Sequence, residues 1–143
     1  MKEARAVWQG GLAFEATAGS GFQTRMDSSA PLGQETGFRP VEMLLVGLAG
    51  CTGMDVISIL QKKRQRVTGF VVAVTGTQTE EYPHIFTDIM VHYTVRGWQV
   101  DPQAVARSIE LSATKYCPVW AMLAATARIQ SKFTIEEELT GAA

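Results

Sequence analysis

The stretch from Arg39 to Gln65, RPVEMLLVGLAGCTGMDVISILQKKRQ, constrains most strongly what this chain can fold into. From Glu42 to Lys62 apolar residues fall on nearly every side of a helical wheel, and a helix apolar all round is one buried in the middle of a domain. Pro40 suits the first turn, where a missing N–H costs nothing. Gln61, Lys62, Lys63 and Arg64 place positive charge at the negative end of the helix dipole. At about 1.5 Å per residue, a helix from Glu42 to Lys63 is roughly 30 Å long, enough to cross a small domain. Its polar residues and charged end argue against a membrane span. Gly47, Gly50 and Gly53 recur at intervals of three, each costing up to about 1 kcal/mol of helix propensity against Ala. Such a stripe leaves a shallow groove where another backbone can approach, and Cys51 sits beside it.

The flanking segments supply the other layers. Ala4 to Gln9, Leu12 to Ala18 and Phe22 to Met26 are short β-like runs divided by Gly10-Gly11 and Gly19-Ser20-Gly21, which predicts an antiparallel meander. Asp27 to Gly37 is a Ser-, Gly- and Pro-rich loop leading into the helix. After the helix, Thr68 to Gln78 and Ile85 to Arg96 read as strands, the second with Ile89, Val91, Tyr93 and Val95 on one face. Asp101-Pro102 is an N-cap followed by proline at the first helical position, opening a helix to about Thr114. Pro118 starts a second short helix with Cys117 at its N-cap, and Ala127 to Glu138 alternates as a closing strand. The order is an α+β domain, with one single domain expected over 1–143.

Composition removes some functions. A formal net charge of −1 with 19% charged residues gives no electrostatic reason to expect nucleic acid or an acidic membrane as partner. The opening MKEARAVWQGG lacks the apolar run of a signal peptide, so a cytoplasmic location is expected. With 46% hydrophobic residues there is ample material for a core. Two cysteines are too few for a disulfide scaffold; they are either small buried hydrophobes or a reactive pair.

Cys51 and Cys117 form no CxxC motif, so any link between them comes from the fold. At a helix start and close to Lys115, Cys117 is expected to have a lowered pKa. Cys51 lies about two and a half turns into its helix, beyond the reach of the dipole. Asp55, four residues on and near the same face, opposes a thiolate there. A nucleophilic Cys51 therefore needs a cation, for which Arg25, Arg39 and Lys115 are the candidates.

Trp8, Gly11 and Phe14, the run Pro40-Val41-Glu42-Met43-Leu44-Leu45, Gly50-Cys51-Thr52 with Asp55-Val56, and Lys115-Tyr116-Cys117-Pro118-Val119 together resemble the OsmC/Ohr family, the osmotically inducible and organic hydroperoxide resistance proteins. The similarity spans almost the whole chain and is strongest to the OsmC-like branch. It implies an intertwined homodimer, with long central helices surrounded by sheets and active sites at the subunit interface. It also implies a peroxidatic Cys51 that reduces an organic hydroperoxide to the alcohol, and a Cys117 that resolves the sulfenic acid as an intramolecular disulfide. A dithiol reductant recycles both, and no metal, flavin or haem is required. In the peroxidases a glutamate directly after the proline holds an arginine against the sulfur. Here Val41 takes that place, the acid is Glu42, and Arg25 is the nearest counterpart of the arginine. In one regular helix, nine steps put Glu42 and Cys51 about 180° apart and roughly 13 Å apart along the axis. Glu42 would then act from the entry loop or on the partner subunit.

Other residues are weaker candidates. His84 and His92 share no short zinc-ligand spacing with the cysteines, so no metal site is expected. Met54 and Met122, close in sequence to the two cysteines, are the candidates for an apolar substrate wall, against the plainer reading as core filling. Ser112 and Thr114 have no histidine or acid at hydrolase spacing. Two functions follow from these residues: a thiol peroxidase, or a non-enzymatic dimer that binds an apolar small molecule or senses oxidation.

Overall fold

The computed structural model describes residues 1–139, and the single-domain expectation over 1–143 runs past them. The chain divides into two compact units, Met1–Leu44 and the remainder from Leu45.

In the first unit, β1 (Ala4–Trp8), β2 (Phe14–Ala18) and β3 (Gln23–Met26) form the expected antiparallel meander in the order β1-β2-β3. Gly10 and Gly11 take positive φ at the first turn, and the Trp8 indole N–H donates to the Gly11 carbonyl at 2.9 Å. The loop that follows is organised on one buried carboxylate. Asp27 accepts the Thr36 hydroxyl at 2.5 Å and the backbone N–H groups of Ser28, Gln34 and Thr36 at 2.7, 3.3 and 3.2 Å. These donors, the Thr36 hydroxyl foremost, hold the Asp27 carboxyl down to about 2.

The helix α1 (Pro40–Lys62) begins where the proline places it. Glu42 turns back so that its Oε1 accepts the Arg39 N–H at 2.8 Å, the acidic half of a capping box. Within the chain α1 buries one stripe, Leu48, Thr52, Gly53, Val56 and Leu60, while Leu44, Val46 and Met54 remain exposed. The expectation of a core helix thus holds for that stripe, and the all-round burial expected from the sequence is not seen among the described residues. A Cβ at Gly53 would meet Val72 Cγ2 at 3.3 Å, whereas nothing among the described residues lies within 4 Å of one at Gly47 or Gly50.

In the second unit, β4 (Arg66–Gln78) pairs antiparallel with β5 (Phe86–Trp98), and β6 (Arg128–Glu137) runs parallel to β5 in the register Ile89↔Ile129 to Gly97↔Glu137. A parallel neighbour requires a crossover. It is made by α2 (Pro102–Leu111), a π-helical turn (Ser112–Tyr116) and α3 (Pro118–Ala124). Asp101 caps α2 as expected, its carboxylate accepting the Gln103 N–H at 2.9 Å. The helix expected to reach about Thr114 instead widens into the π-helical turn after Leu111. The alternation in β5 puts Ile89, Val91, Tyr93 and Val95 into the core with Leu48, Val56 and Leu60 of α1 and Val105, Ile109 and Trp120 of the crossover.

Candidate thiol site

The crossover brings the two cysteines together. Cys51, half-buried, comes from the middle of α1; Cys117, buried, caps α3 with its Sγ accepting the Trp120 N–H at 3.3 Å. Both are free thiols, and Cys51 stands near enough to Cys117 to act on its ionisation. The N-cap position was expected to lower the Cys117 pKa, and the structure corrects this. Burial pushes the thiol up to about 11, aided by the neighbouring Cys51, and outweighs the N–H groups of Trp120 and Val119 that act the other way. Cys117 is a protonated thiol at neutral pH.

Four polar side chains of α1, β5 and the π-helical turn form one hydrogen-bonded chain. Tyr93 Oη and Thr52 Oγ1 are 2.6 Å apart, Thr52 Oγ1 and Ser112 Oγ are 2.8 Å apart, and Ser112 Oγ donates to Asp55 Oδ2 at 2.8 Å. A hydroxyl carries one proton. With the Ser112 proton committed to the Asp55 carboxylate, Thr52 must donate to Ser112 and Tyr93 to Thr52, so every bond in the chain points toward Asp55. Tyr93, Thr52 and Ser112 are fully buried, and Asp55 is half-buried beside a cavity of about 270 Å³ lined also by Lys62 and Tyr116. Burial pushes the Tyr93 phenol up to about 12, with Cys117 and Asp55 acting in the same direction. No buried side-chain polar atom among the described residues is left without a partner.

The remaining candidates are engaged elsewhere. Arg25 Nε donates to the Thr36 hydroxyl at 2.9 Å, and Arg39 forms an ion pair with Glu35 at 3.0 Å, both within Met1–Leu44. Glu42 caps α1. Lys115 Nζ stands 5.2 Å from the centre of the Tyr116 ring, within cation–π range. Met54 and Met122 are 73% and 67% exposed. His84 Nδ1 pairs with the Thr79 carbonyl at 2.8 Å, and His92 Nε2 with the Thr134 hydroxyl at 2.9 Å. No group of three or more His, Cys, Asp or Glu among the described residues could hold a metal. Sequence reasoning missed Thr52, Tyr93 and Ser112 as members of the site. The one available signal was three hydroxyl residues at positions whose neighbours dictate burial.

Known proteins share this architecture. The family model described as OsmC-like protein matches residues 33–132. Protein YhfA of Escherichia coli K12 is 39% identical over 133 residues, covering 93% of this chain and 97% of its own length. The crystal structure of a hypothetical protein from Aquifex aeolicus VF5 superposes with a TM-score of 0.86 at 28% identity, covering 97% of this chain and 98% of that one. An organic hydroperoxide resistance protein OsmC from Legionella pneumophila, at 11% identity, shares the fold with a TM-score of 0.71 over 94% of this chain and 96% of its own.

Proposed function

Because the chain belongs to the OsmC-like protein family, we propose that it is a thiol-dependent peroxidase that reduces organic hydroperoxides to alcohols. The observation that carries this reading is the meeting of a half-buried Cys51 with a buried Cys117 contributed by a different element. Unequal exposure suits unequal roles. The accessible Cys51 thiolate attacks the terminal peroxide oxygen; the O–O bond breaks, Cys51 becomes a sulfenic acid, and the alkoxide takes a proton to leave as the alcohol. The Cys117 sulfur then attacks the sulfenic sulfur, giving the Cys51–Cys117 disulfide and water, the Cys117 proton leaving with the hydroxide. A dithiol returns two electrons and two protons to restore both thiols. Neither step requires a metal or an organic cofactor.

The assembly proposed is a homodimer in the cytoplasm. Its support is the apolar face of α1 that the described residues leave uncovered, at Leu44, Val46 and Met54 and above Gly47 and Gly50. Met54 and Met122 are assigned to the wall that receives the apolar part of the hydroperoxide. Glu42 and one of Arg25, Arg39 or Lys115 are assigned to stabilising the Cys51 thiolate. A second reading, an oxidation sensor or a non-enzymatic binder of an apolar molecule, is favoured by the pairing of Arg25 with Thr36 and of Arg39 with Glu35.

Turnover separates the two. Cys51→Ser should abolish dithiol-dependent loss of cumene hydroperoxide, and Cys117→Ser should leave a sulfenic acid on Cys51 that a dimedone probe captures. Unchanged consumption by the Cys51 variant would reject the peroxidase.

A further inference from the structure

We propose that the hydroxyls of Thr52 and Ser112 are positioning residues that hold the π-helical turn against α1 and thereby set Cys117 opposite Cys51. The proposal rests on the thiol-pair reading and identifies what enforces the pair. Thr52 directly follows Cys51 in α1. Ser112 is the first residue of the π-helical turn, and its carbonyl accepts the Cys117 N–H at 2.9 Å. The 2.8 Å bond between the Thr52 and Ser112 hydroxyls therefore joins the neighbour of one cysteine to the residue that holds the backbone of the other. Its two ends are fixed from outside, by Tyr93 of β5 at 2.6 Å from Thr52 and by Asp55 at 2.8 Å from Ser112.

The π-helical turn is the element that needs such a clamp. Single π-turns are rare in helices and gather at functional sites, where the widened turn re-aims the residues after it. Here the turn follows α2 and ends on Cys117, whose extended backbone starts α3. Two thiols form a disulfide only within a narrow range of Cα separation, so a small rotation of this turn would remove Cys117 from reach. Buried hydroxyls with one proton each and one direction of donation allow a single arrangement of the network. That is the property a register pin requires.

The test reads the disulfide directly and needs no peroxide, so it stands even where the peroxidase reading fails. The intact protein is equilibrated with mixtures of reduced and oxidised dithiothreitol, in which the oxidised probe accepts the two electrons and two protons of the Cys51–Cys117 pair. The fraction oxidised gives the effective concentration of one thiol at the other. Thr52→Val keeps the shape and deletes the hydroxyl, and should lower that effective concentration by about tenfold, the scale of coupling within such networks. Ser112→Ala should do the same, the double variant should add little, and Thr52→Ser should restore the wild-type value. An effective concentration unchanged in Thr52→Val and Ser112→Ala would overturn the proposal, as would a Thr52→Ser value as low as that of Thr52→Val. If Thr52→Val does not fold, Tyr93→Phe decides on the same readout: a fall supports the clamp and an unchanged value refutes it.

Discussion

The Sγ of Cys117 accepts the backbone N–H of Trp120 at 3.3 Å, yet its thiol is pushed up to about 11. The two facts define which force wins at this helix start. A hydrogen bond and a short helix favour a thiolate, but removal of the sulfur from water, reinforced by Cys51 alongside, disfavours it more. In the proposed reaction Cys117 need only attack an electrophilic sulfenic sulfur, and a high pKa makes a thiol intrinsically nucleophilic once its proton departs.

Alkaline stability should report these two buried acids. The Cys117 thiol rises from its ordinary 9.0 to about 11 and the Tyr93 phenol from 10.0 to about 12. In both, the fold favours the protonated form, so the folded chain holds more protons than the unfolded chain between the paired values. The stability they contribute is complete below pH 9 and is lost as pH rises through about 11 and 12. Melting followed by circular dichroism should show a falling Tm from about pH 9 upward. In Cys117→Ser that fall should begin about one unit later, and an identical onset in the variant would remove Cys117 as its cause.

Asp27 has the opposite sign. Its carboxyl is held at about 2 against an ordinary 3.8, chiefly by the Thr36 hydroxyl, and the fold therefore favours the charged form. The contribution is present above pH 3.8 and disappears as pH falls through about 2. Asp27→Asn should lower stability at pH 7 while flattening its decline in acid. A variant that keeps the wild-type slope between pH 4 and 2 would show that other carboxylates govern acid unfolding.

How much of this was legible beforehand follows the range of each interaction. Asp101-Pro102 and Cys117-Pro118 announce helix starts because capping is settled within three residues, and both caps form as read. The alternation Ile89, Val91, Tyr93, Val95 predicts a buried face, and all four are buried. The Thr52–Tyr93 and Thr52–Ser112 bonds span 41 and 60 residues, and no local pattern encodes such pairs. The direction of the Cys117 shift is hidden for the same reason: the cap is local and visible, while the burial that overrides it comes from the folded core. Glu42 is also local, but with Arg39 rather than Ser or Thr before the helix, the acidic half of its capping box carried no signature.

That cap allows the proposed role of Glu42 at the thiol site to be separated from its structural one. Gln serves a capping box as well as Glu does, whereas Ala does not. Glu42→Gln should hold stability within a few tenths of a kcal/mol, and Glu42→Ala should cost about 1 kcal/mol. If the carboxylate also stabilises a cation at Cys51, Glu42→Gln should slow sulfenic acid formation at unchanged Tm. Full reactivity in Glu42→Gln would confine Glu42 to capping.

Gly50 discriminates packing within the chain from packing between chains. A Cβ at this position meets nothing within 4 Å among the described residues, so a larger side chain has room in the isolated protomer. Replacing glycine inside a helix also recovers up to about 1 kcal/mol of propensity. In a lone protomer Gly50→Leu should therefore be neutral or stabilising. Glycines at 47 and 50 beside exposed Val46 and Leu44 make sense where a second helix lies close, and there leucine would overpack the contact by about 1–3 kcal/mol. If the proposed homodimer packs on this stripe, the expected outcome is a weaker dimer in sedimentation equilibrium, with the proposed hydroperoxide turnover falling in step. A variant as dimeric and as active as the parent would move the subunit contact off this stripe, and a variant that loses turnover while staying dimeric would place Gly50 against substrate instead.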